Sequence, residues 1–536
     1  AACTAARSRV FWTPFPEVPS GKIYGETARA DAAAGFAALR DQRFDLPGHP
    51  CAGWLGAEVS PFGGALGITY PAADAAVLIA AAQVAAEALA DATPETRIGV
   101  CLEALSRLNR DSFLMANAVM HTTGQGFAMA FQAGGPHAQD RGLEAVALAW
   151  EEMTRFAPEA RWDKPQGKAA PLVLEKHWSL VPAGISLAIG CNTFPTWNSY
   201  SGLFASLATG NPVIVKPHPA AVLPLALAVR TLREVLAEAG LPADSVLLAI
   251  DLPGAEITGA LAGDPAVRLI DYTGSTAFGG WLRAHATQAQ IFAEEAGVNS
   301  VTIAATDDFA AMCANLAFSL ALYSGQMCTA PQNIYVPQAG IATDQGHKSL
   351  TEVGLGIATA IDDLLSDPER AAGVCGALAN PDTLARVAAM RGQGQLLRDS
   401  APTGPGRTAS PLLLALQDGD PLAEQECFGP IAFVIAVPDA DAGIARATDL
   451  ARRKGAITAA LYDTDETRIA RAARAFARAG VNLSVNLTGN IYVNQSAAFS
   501  DFHVTGANPA GNASLTDTAF VASRFRRAMW RRPVAA

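Results

Sequence analysis

The sequence predicts an α/β protein with more than one domain, and three observations support this. With 536 residues the chain is too long for a single compact core. From Gly184 onward, short apolar runs alternate with helical stretches, which is the pattern of parallel strands joined by crossover helices in a doubly wound domain. A second alternating block runs from about residue 300 to 480 and predicts a second α/β domain.

The pattern along the chain divides it into four parts. Proline and aromatic residues scattered through 1–35 predict an extended N-terminal arm, and 36–298 is expected to be a dinucleotide-binding domain. A catalytic domain is expected at 299–495, and a C-terminal segment at 496–536 is expected to pack back on the body or on a neighbouring subunit. The residues at about 168–183 predict a strand pair.

Composition and charge exclude several classes of protein. The chain is 50% hydrophobic and 17% charged, as in globular enzymes. Its net charge of −11 argues against a nucleic-acid partner. Eight cysteines without a CxxC motif indicate neither a disulfide framework nor a metal site. No apolar run reaches the roughly 18 residues of a membrane span. We therefore expect a cytoplasmic protein with no membrane partner.

The segment Tyr323–Ala330 carries the strongest chemical signal. Its sequence, Tyr-Ser-Gly-Gln-Met-Cys-Thr-Ala, places Cys328 after a Ser-Gly-Gln turn. A nucleophilic thiol needs such a turn, because its sulfur must project from the backbone while a free N–H faces the oxyanion that it creates. Cys328 is the candidate nucleophile.

Two further segments precede this one. Glu294 and Glu295 stand beside Gly297 at the start of an apolar strand, and a carboxylate there could serve as a general base. Earlier, a glycine-rich turn follows an apolar strand and opens a helix. Small residues there allow a pyrophosphate to approach the backbone at a helix N-terminus. The candidate cofactor-binding residues of this turn are Thr273, Gly274, Ser275 and Gly279.

These three segments, in this order, resemble the aldehyde dehydrogenase superfamily. The resemblance implies two doubly wound α/β domains, one for the cofactor and one for catalysis, and a small oligomerisation β-hairpin. It implies Cys328 as nucleophile and Glu295, matched to Glu-x-Gly-x-x-Ser, as general base. It also implies that Lys216 holds the adenosine ribose, that Glu426 binds the nicotinamide ribose and that Phe428 packs on the nicotinamide. Phe194 is assigned to the cofactor residues as well.

The choice of dinucleotide depends on the residues after Lys216. Many NAD-using members have a glutamate three positions beyond this lysine, where this chain has Pro219. Without that carboxylate a 2′-phosphate is not repelled, and Lys216 with His218 could attract it. We therefore expect NADP, with NAD as the alternative.

The sequence departs from the family at the oxyanion hole. The family commonly has Pro-Trp-Asn-Phe-Pro, whereas this chain has Cys-Asn-Thr-Phe-Pro at 191–195. Gapless counting from Lys216 puts Thr193 in the donor position, and a one-residue shift would put Asn192 there. Asn192 is our predicted donor. Thr193, or the Cys328 backbone N–H alone, is the alternative.

Several further segments resemble one branch, the stand-alone aldehyde dehydrogenases of phenylacetate degradation. They include His121–Gln125, Gln132–Arg141, Gly190–Asn198 and Asp501–Asn512. The resemblance implies oxidation of a CoA-linked or aromatic-pathway semialdehyde, a homodimer or homotetramer, and a separate hydratase for ring opening. Two alternatives stay open: a CoA-acylating dehydrogenase, and a catalytically degenerate dinucleotide-binding protein.

Overall fold

The computed structural model describes residues 1–515 and 517–534. The helices of this part are α1 Ala2–Ser8, α2 Gly21–Tyr24, α3 Ala28–Leu39, α4 Ala75–Asp91, α5 Pro94–Arg110, α6 Ser112–Thr123, α7 Phe127–Gly134, α8 Pro136–Thr154, α9 Pro195–Ala208, α10 Leu223–Glu238, α11 Thr258–Gly263, α12 Thr276–His285, α13 Phe309–Ala321, α14 Leu350–Leu364, α15 Pro368–Cys375, α16 Asp382–Met390, α17 Ala440–Lys454, α18 Glu466–Arg478 and α19 Ala519–Ala522.

The strands of the same part are β1 Gly53–Leu55, β2 Tyr70–Ala72, β3 Glu159–Gln166, β4 Ala169–Pro182, β5 Ile185–Ile189, β6 Val213–Lys216, β7 Val246–Leu248, β8 Val267–Thr273, β9 Gln290–Glu294, β10 Ser300–Ile303, β11 Ala305–Thr306, β12 Asn333–Pro337, β13 Ile341–Thr343, β14 Gly346–Lys348, β15 Gln395–Arg398, β16 Leu412–Leu416, β17 Ile431–Val437, β18 Thr458–Tyr462, β19 Asn482–Val485 and β20 Phe525–Pro533.

The cofactor domain has a five-stranded parallel sheet in the order β7-β6-β5-β8-β9. Its central strands are short and apolar, and β5 and β6 are almost entirely buried, as expected when helices cover both faces of a parallel sheet. The strand order reverses at β5, which confirms the predicted doubly wound architecture. The carboxyl ends of these strands, where such sheets bind ligands, carry Lys216, Thr273 and Glu294.

The catalytic domain has a seven-stranded sheet in the order β15-β16-β17-β12-β10-β18-β19. Strand β15 is antiparallel to its neighbour, and the other pairings are parallel. Helix α13 packs beside this sheet and leads directly into the turn that carries Cys328. The second predicted α/β domain is therefore confirmed.

A third sheet, in the order β20-β4-β3, corrects the prediction for residues 168–183. Those residues form one long strand, β4, instead of a strand pair. Its hairpin partner is β3, reached through a turn with Gly167 at a φ of 62°. Strand β20 of the C-terminal segment pairs along the other side of β4. The N-terminal arm also differs from the prediction, since 1–35 includes α1, α2 and part of α3.

The C-terminal segment is anchored in the cofactor domain by a buried ion pair. The guanidinium of Arg524 donates to both carboxylate oxygens of Asp271 on β8, at 2.6 and 2.8 Å. It also donates to the Ser206 hydroxyl at 2.6 Å, and its side chain has no exposed surface. This segment therefore belongs to the core of the first domain, although it follows the second domain in the sequence.

No single helix in residues 1–515 and 517–534 is long and apolar enough to cross a membrane. Helices α4 and α5 meet that criterion only as a pair, and a bend of 116° separates them.

Candidate active site

The turn before Cys328 has an unusual backbone. Tyr323 and Ser324 have φ values of 51° and 50°, and Gly325 follows with 63°, so three consecutive residues are left-handed. This conformation is unfavourable for residues with a Cβ, and such strain persists only where the surroundings fix it. The turn ends α13 abruptly and directs the following backbone toward the cofactor domain.

Buried hydrogen bonds hold this strained turn. The hydroxyl of Ser324 donates to the carbonyl oxygens of Cys375 and Ala409 at 3.0 and 2.7 Å. The side-chain amide nitrogen of Gln326 donates to the Tyr323 carbonyl at 3.1 Å, and its amide oxygen accepts from the Ala379 N–H at 2.9 Å. Backbone groups from distant segments thus hold this turn in a fixed conformation.

Asn299 fixes the other side of the Cys328 loop. Its amide nitrogen donates to the carbonyl oxygens of Cys328 and Ala330 at 2.7 and 3.0 Å. Its amide oxygen accepts from the backbone N–H groups of Ile457 and Thr458 at 2.9 and 3.0 Å. Both N–H donors and the oxygen of this buried amide are thus hydrogen-bonded, and they join the loop to the start of β18. Sequence reasoning missed this residue, which looked like part of an ordinary strand entry.

The two neighbouring glutamates face different partners. Glu295 pairs with Arg283 of α12, and its second oxygen accepts from the Arg283 guanidinium at 3.2 Å. Glu294 instead lies beside Cys328 and His503. One of its carboxylate oxygens, the Cys328 sulfur and a ring nitrogen of His503 all lie within 4.8 Å of one another. Successive residues of an extended strand point to opposite faces, so only one of the two can face the thiol. The structure contradicts the placement of Glu295 at the thiol, and Glu294 takes that position.

The environment of the thiol and carboxyl perturbs both groups. Burial raises the pKa of the Cys328 thiol well above its ordinary value, and the nearby charge of Glu294 raises it further. Burial also acts to raise the pKa of the Glu294 carboxyl, but the charge and hydrogen bond of His503 outweigh it and the pKa is lowered. The arrangement is therefore a protonated thiol next to an ionised base.

The oxyanion side of the site contains three polar residues in a row. The Thr193 hydroxyl donates to the Cys191 sulfur at 3.8 Å, and the Cys191 thiol donates to the side-chain oxygen of Asn198 at 3.5 Å. Asn192 is half-buried. Phe194 packs edge-on against Tyr323 at 5.8 Å, so this segment contacts the turn before Cys328. Which of Asn192 and Thr193 completes the oxyanion hole stays a prediction.

The predicted phosphate turn joins β8 to α12. Ser275 is the N-cap, and its hydroxyl accepts from the Phe278 N–H at 3.3 Å. The Gly274 N–H donates to the Glu294 carbonyl at 3.0 Å, and a Cβ at Gly274 would lie 2.4 Å from the Tyr272 hydroxyl oxygen. A Cβ at Gly279 would lie 2.2 Å from a Glu295 carboxylate oxygen. A side chain at either position would therefore displace Tyr272 or the Glu295 carboxylate, and the turn joins directly to the strand that carries Glu294.

Lys216 is already paired at the end of β6. Its ammonium lies 2.7 Å from a carboxylate oxygen of Asp251, and both side chains are buried. His218 is exposed two residues later, and its ring accepts from the Ala220 N–H at 3.2 Å. Sequence reasoning missed Asp251, which follows β7 and carries no local signal of this contact.

Glu426 and Phe428 lie on the catalytic-domain side of a cleft with Gly297, Asn299 and Gly325. Burial raises the pKa of the Glu426 carboxyl to about 7. The edge of the first sheet thus offers a buried lysine and a helix N-terminus, and the cleft beside Gly297 offers a carboxylate. This set of donors and acceptors fits the phosphates and ribose hydroxyls of a dinucleotide.

Comparisons with known proteins agree with this geometry. Residues 58–511 match the model of the aldehyde dehydrogenase family. The crystal structure of an NAD-dependent aldehyde dehydrogenase from Burkholderia multivorans is 51% identical, with a TM-score of 0.98 over 100% of this chain and 97% of that one. The Thermus 1-pyrroline-5-carboxylate dehydrogenase with bound NAD is 20% identical and has a TM-score of 0.74 over 98% and 99% of the two chains, which shows a shared fold.

Among curated proteins, 1-pyrroline-5-carboxylate dehydrogenase of Bacillus subtilis is 25% identical over 351 residues, 62% of each chain. Alpha-ketoglutaric semialdehyde dehydrogenase 2 of Azospirillum brasilense is 35% identical over 28% of this chain and 30% of that protein. Both matches therefore span less than two thirds of the relative's length. The family match and the full-length structural likeness show that this chain belongs to the aldehyde dehydrogenase family.

Proposed function

We propose that this protein oxidises an aldehyde to the carboxylic acid with a nicotinamide dinucleotide as hydride acceptor. The observation that carries the proposal is the half-buried Cys328 thiol beside the Glu294 carboxylate, at the sheet edge that also holds Lys216 and the α12 turn. The fold alone would not suffice, since one fold supports many activities.

The residues of this chain account for each proton in the reaction. Glu294 takes the thiol proton as the Cys328 sulfur attacks the aldehyde carbon, and the Cys328 backbone N–H with Asn192 or Thr193 holds the oxyanion. A bound nicotinamide would supply the hydride acceptor, and loss of the hydride would leave Cys328 holding the acyl group as a thioester. Glu294 releases the thiol proton to solvent after the hydride has left, and the ionised carboxylate then removes a proton from the water that hydrolyses this thioester. Glu295, paired with Arg283, has a structural part in this scheme.

The structure changes our preference for the cofactor. NADP was expected because Pro219 replaces the family's ribose-binding glutamate, leaving Lys216 and His218 to attract a 2′-phosphate. The buried Asp251 carboxylate beside Lys216 neutralises that lysine and would repel a phosphate. A carboxylate near the adenosine ribose is also the usual partner of its free hydroxyl groups. We therefore propose NAD as the preferred cofactor and NADP as the weaker one.

We propose a CoA-linked or aromatic-pathway semialdehyde of phenylacetate degradation as substrate. The segments that resemble the phenylacetate branch support this, since Asp501–His503, Arg141 and Trp197 line a cavity beside the catalytic centre. A separate ring-opening hydratase would supply such a substrate. We further propose a cytoplasmic homodimer or homotetramer. The fully exposed strand β3 at the edge of its sheet offers a surface for strand pairing between subunits.

Steady-state reduction of NAD and NADP with aliphatic, aromatic and CoA-linked aldehydes tests the proposal. We expect turnover that prefers NAD and that Cys328→Ala abolishes. A requirement for free CoA would establish the CoA-acylating alternative. Dinucleotide binding without turnover of any aldehyde would establish the degenerate alternative.

A further inference from the structure

His503 brings an imidazole from the C-terminal segment into the catalytic centre. Its Nε2 lies 3.0 Å from Oε2 of Glu294, and its ring meets the Trp197 ring edge-on at 4.5 Å. Its carbonyl oxygen accepts from the side-chain amide of Asn482 at 2.5 Å. Only 5% of the residue is exposed. The ring is therefore held in one place, with a nitrogen aimed at the carboxylate.

The direction of this hydrogen bond follows from the chemistry of the pair. An ionised carboxylate can only accept, so the imidazole must donate its Nε2–H. The other oxygen, Oε1, is buried, and no described residue donates a regular hydrogen bond to it. The Cys328 thiol, which carries its proton, lies beside this carboxylate. One oxygen is thus fixed by His503, and the other is available to take a proton.

The remaining charged groups around His503 have other partners. On its own segment, Asp501 pairs with Arg9. On α8, His137 lies 2.8 Å from Glu17, Asp140 accepts from Thr13 at 2.6 Å, and Glu144 accepts from the Phe499 N–H. Arg141 of α8 lies over the Trp197 ring at 4.6 Å and 3.8 Å from Glu144. The contact between His503 and Glu294 is therefore a specific pair within a charged surrounding.

We propose that His503 is a positioning residue that keeps Glu294 ionised and turned toward Cys328. This inference rests on the proposed function, in which Glu294 is the general base. During hydrolysis the water oxygen forms its bond to the thioester carbon, the carbon–sulfur bond breaks, and the water proton passes through Glu294 to the departing sulfur. His503 keeps its own proton throughout and acts only through Glu294.

Two variants of similar size separate positioning from packing. His503→Gln keeps an N–H donor, whereas His503→Met fills the space without one. His347→Met is the control, because His347 is exposed on β14 and does not line the cavity around His503. We expect His503→Met to lower kcat by about 10- to 100-fold, the equivalent of losing a hydrogen bond to a charged group. His503→Gln should stay within about threefold of the native enzyme, as should the control.

The pH dependence of kcat separates positioning from packing, because a loss of packing alone would not shift its acidic limb. Without His503 the buried Glu294 binds its proton more readily, so the acidic limb of kcat should shift to higher pH in His503→Met and less in His503→Gln. An unchanged limb in His503→Met, or equal losses in both variants, would overturn the proposal.

An infrared titration of the Glu294 carboxyl, taken as the band lost in Glu294→Gln, needs no turnover. Its midpoint should rise in His503→Met and stay unchanged in His347→Met. If the native protein oxidises no aldehyde, the proposed function fails, and this titration still decides the pairing of His503 with Glu294. An unmoved midpoint in His503→Met refutes that pairing whatever the activity.

Discussion

Replacing each of the two adjacent glutamates by glutamine tests the reading of the active site directly. Glu294 lies at the thiol, so Glu294→Gln should lower kcat by about 100- to 10,000-fold, the range for loss of a general base. This corresponds to roughly 3–5 kcal/mol of activation free energy. Glu295 faces Arg283, whose side chain is 51% exposed, so solvent screens the pair. Such pairs contribute about 0–1 kcal/mol, and Glu295→Gln should lower kcat by about fivefold at most.

The assay is stopped-flow formation of the reduced nicotinamide. If Glu294 acts only on the hydrolytic water, Glu294→Gln gives a full burst followed by a slow steady state. If it also removes the thiol proton, the burst itself becomes slow. Arg283→Gln is the matched control, since it breaks the same ion pair and leaves both carboxyl groups in place. A near-native Glu294→Gln together with a Glu295→Gln that has lost 100-fold would refute the assignment.

Three other predictions concern the cofactor and the stability of the fold. Asp251→Asn should raise kcat/KM for NADP relative to NAD, because it removes the carboxylate that repels a 2′-phosphate; an unchanged ratio would contradict this. Arg524→Met leaves Asp271 buried and unpaired, so we expect about 3–5 kcal/mol of lost stability in a urea titration. The matched Arg526→Met, at an exposed position, should have little effect. Burial raises the pKa of Asp140 to about 8, so the folded protein binds a proton that the unfolded chain releases near pH 4. Stability linked to this group should therefore fall as pH rises from about 4 to 8, and Asp140→Asn should flatten the fall in Tm across that range.

The sequence predicted the parts of the molecule that local pattern controls. Apolar runs such as 185–189 and 212–216 indicated parallel strands, and the Ser-Gly-Gln turn indicated a nucleophilic thiol at Cys328. The structure places Glu294, and not Glu295, beside the thiol, and the sequence could not separate them because both neighbours carry the same functional group. Strand alternation places them on opposite faces, but only the packing of α12 and Arg283 shows which face meets the thiol.

Contacts between distant segments carried no signal that one sequence could show. His503 meets Glu294 across 209 positions, and Arg524 meets Asp271 across 253. Nothing in the composition near either residue indicates its partner. Asp251 was missed for the same reason, and its contact with Lys216 is the ground on which we propose NAD.

The anchoring of Arg524 and β20 in the first domain has a consequence for synthesis of the protein on the ribosome. Asp271, on β8, leaves the ribosome long before Arg524 is translated, because the whole second domain comes between them in the sequence. During that interval the nascent first domain has a buried carboxylate without its cation, and β4 lacks one of its two neighbouring strands. The first domain therefore cannot complete its fold until the C-terminal segment has been made, although most of its residues are translated first. Chaperones are expected to meet this unfinished edge.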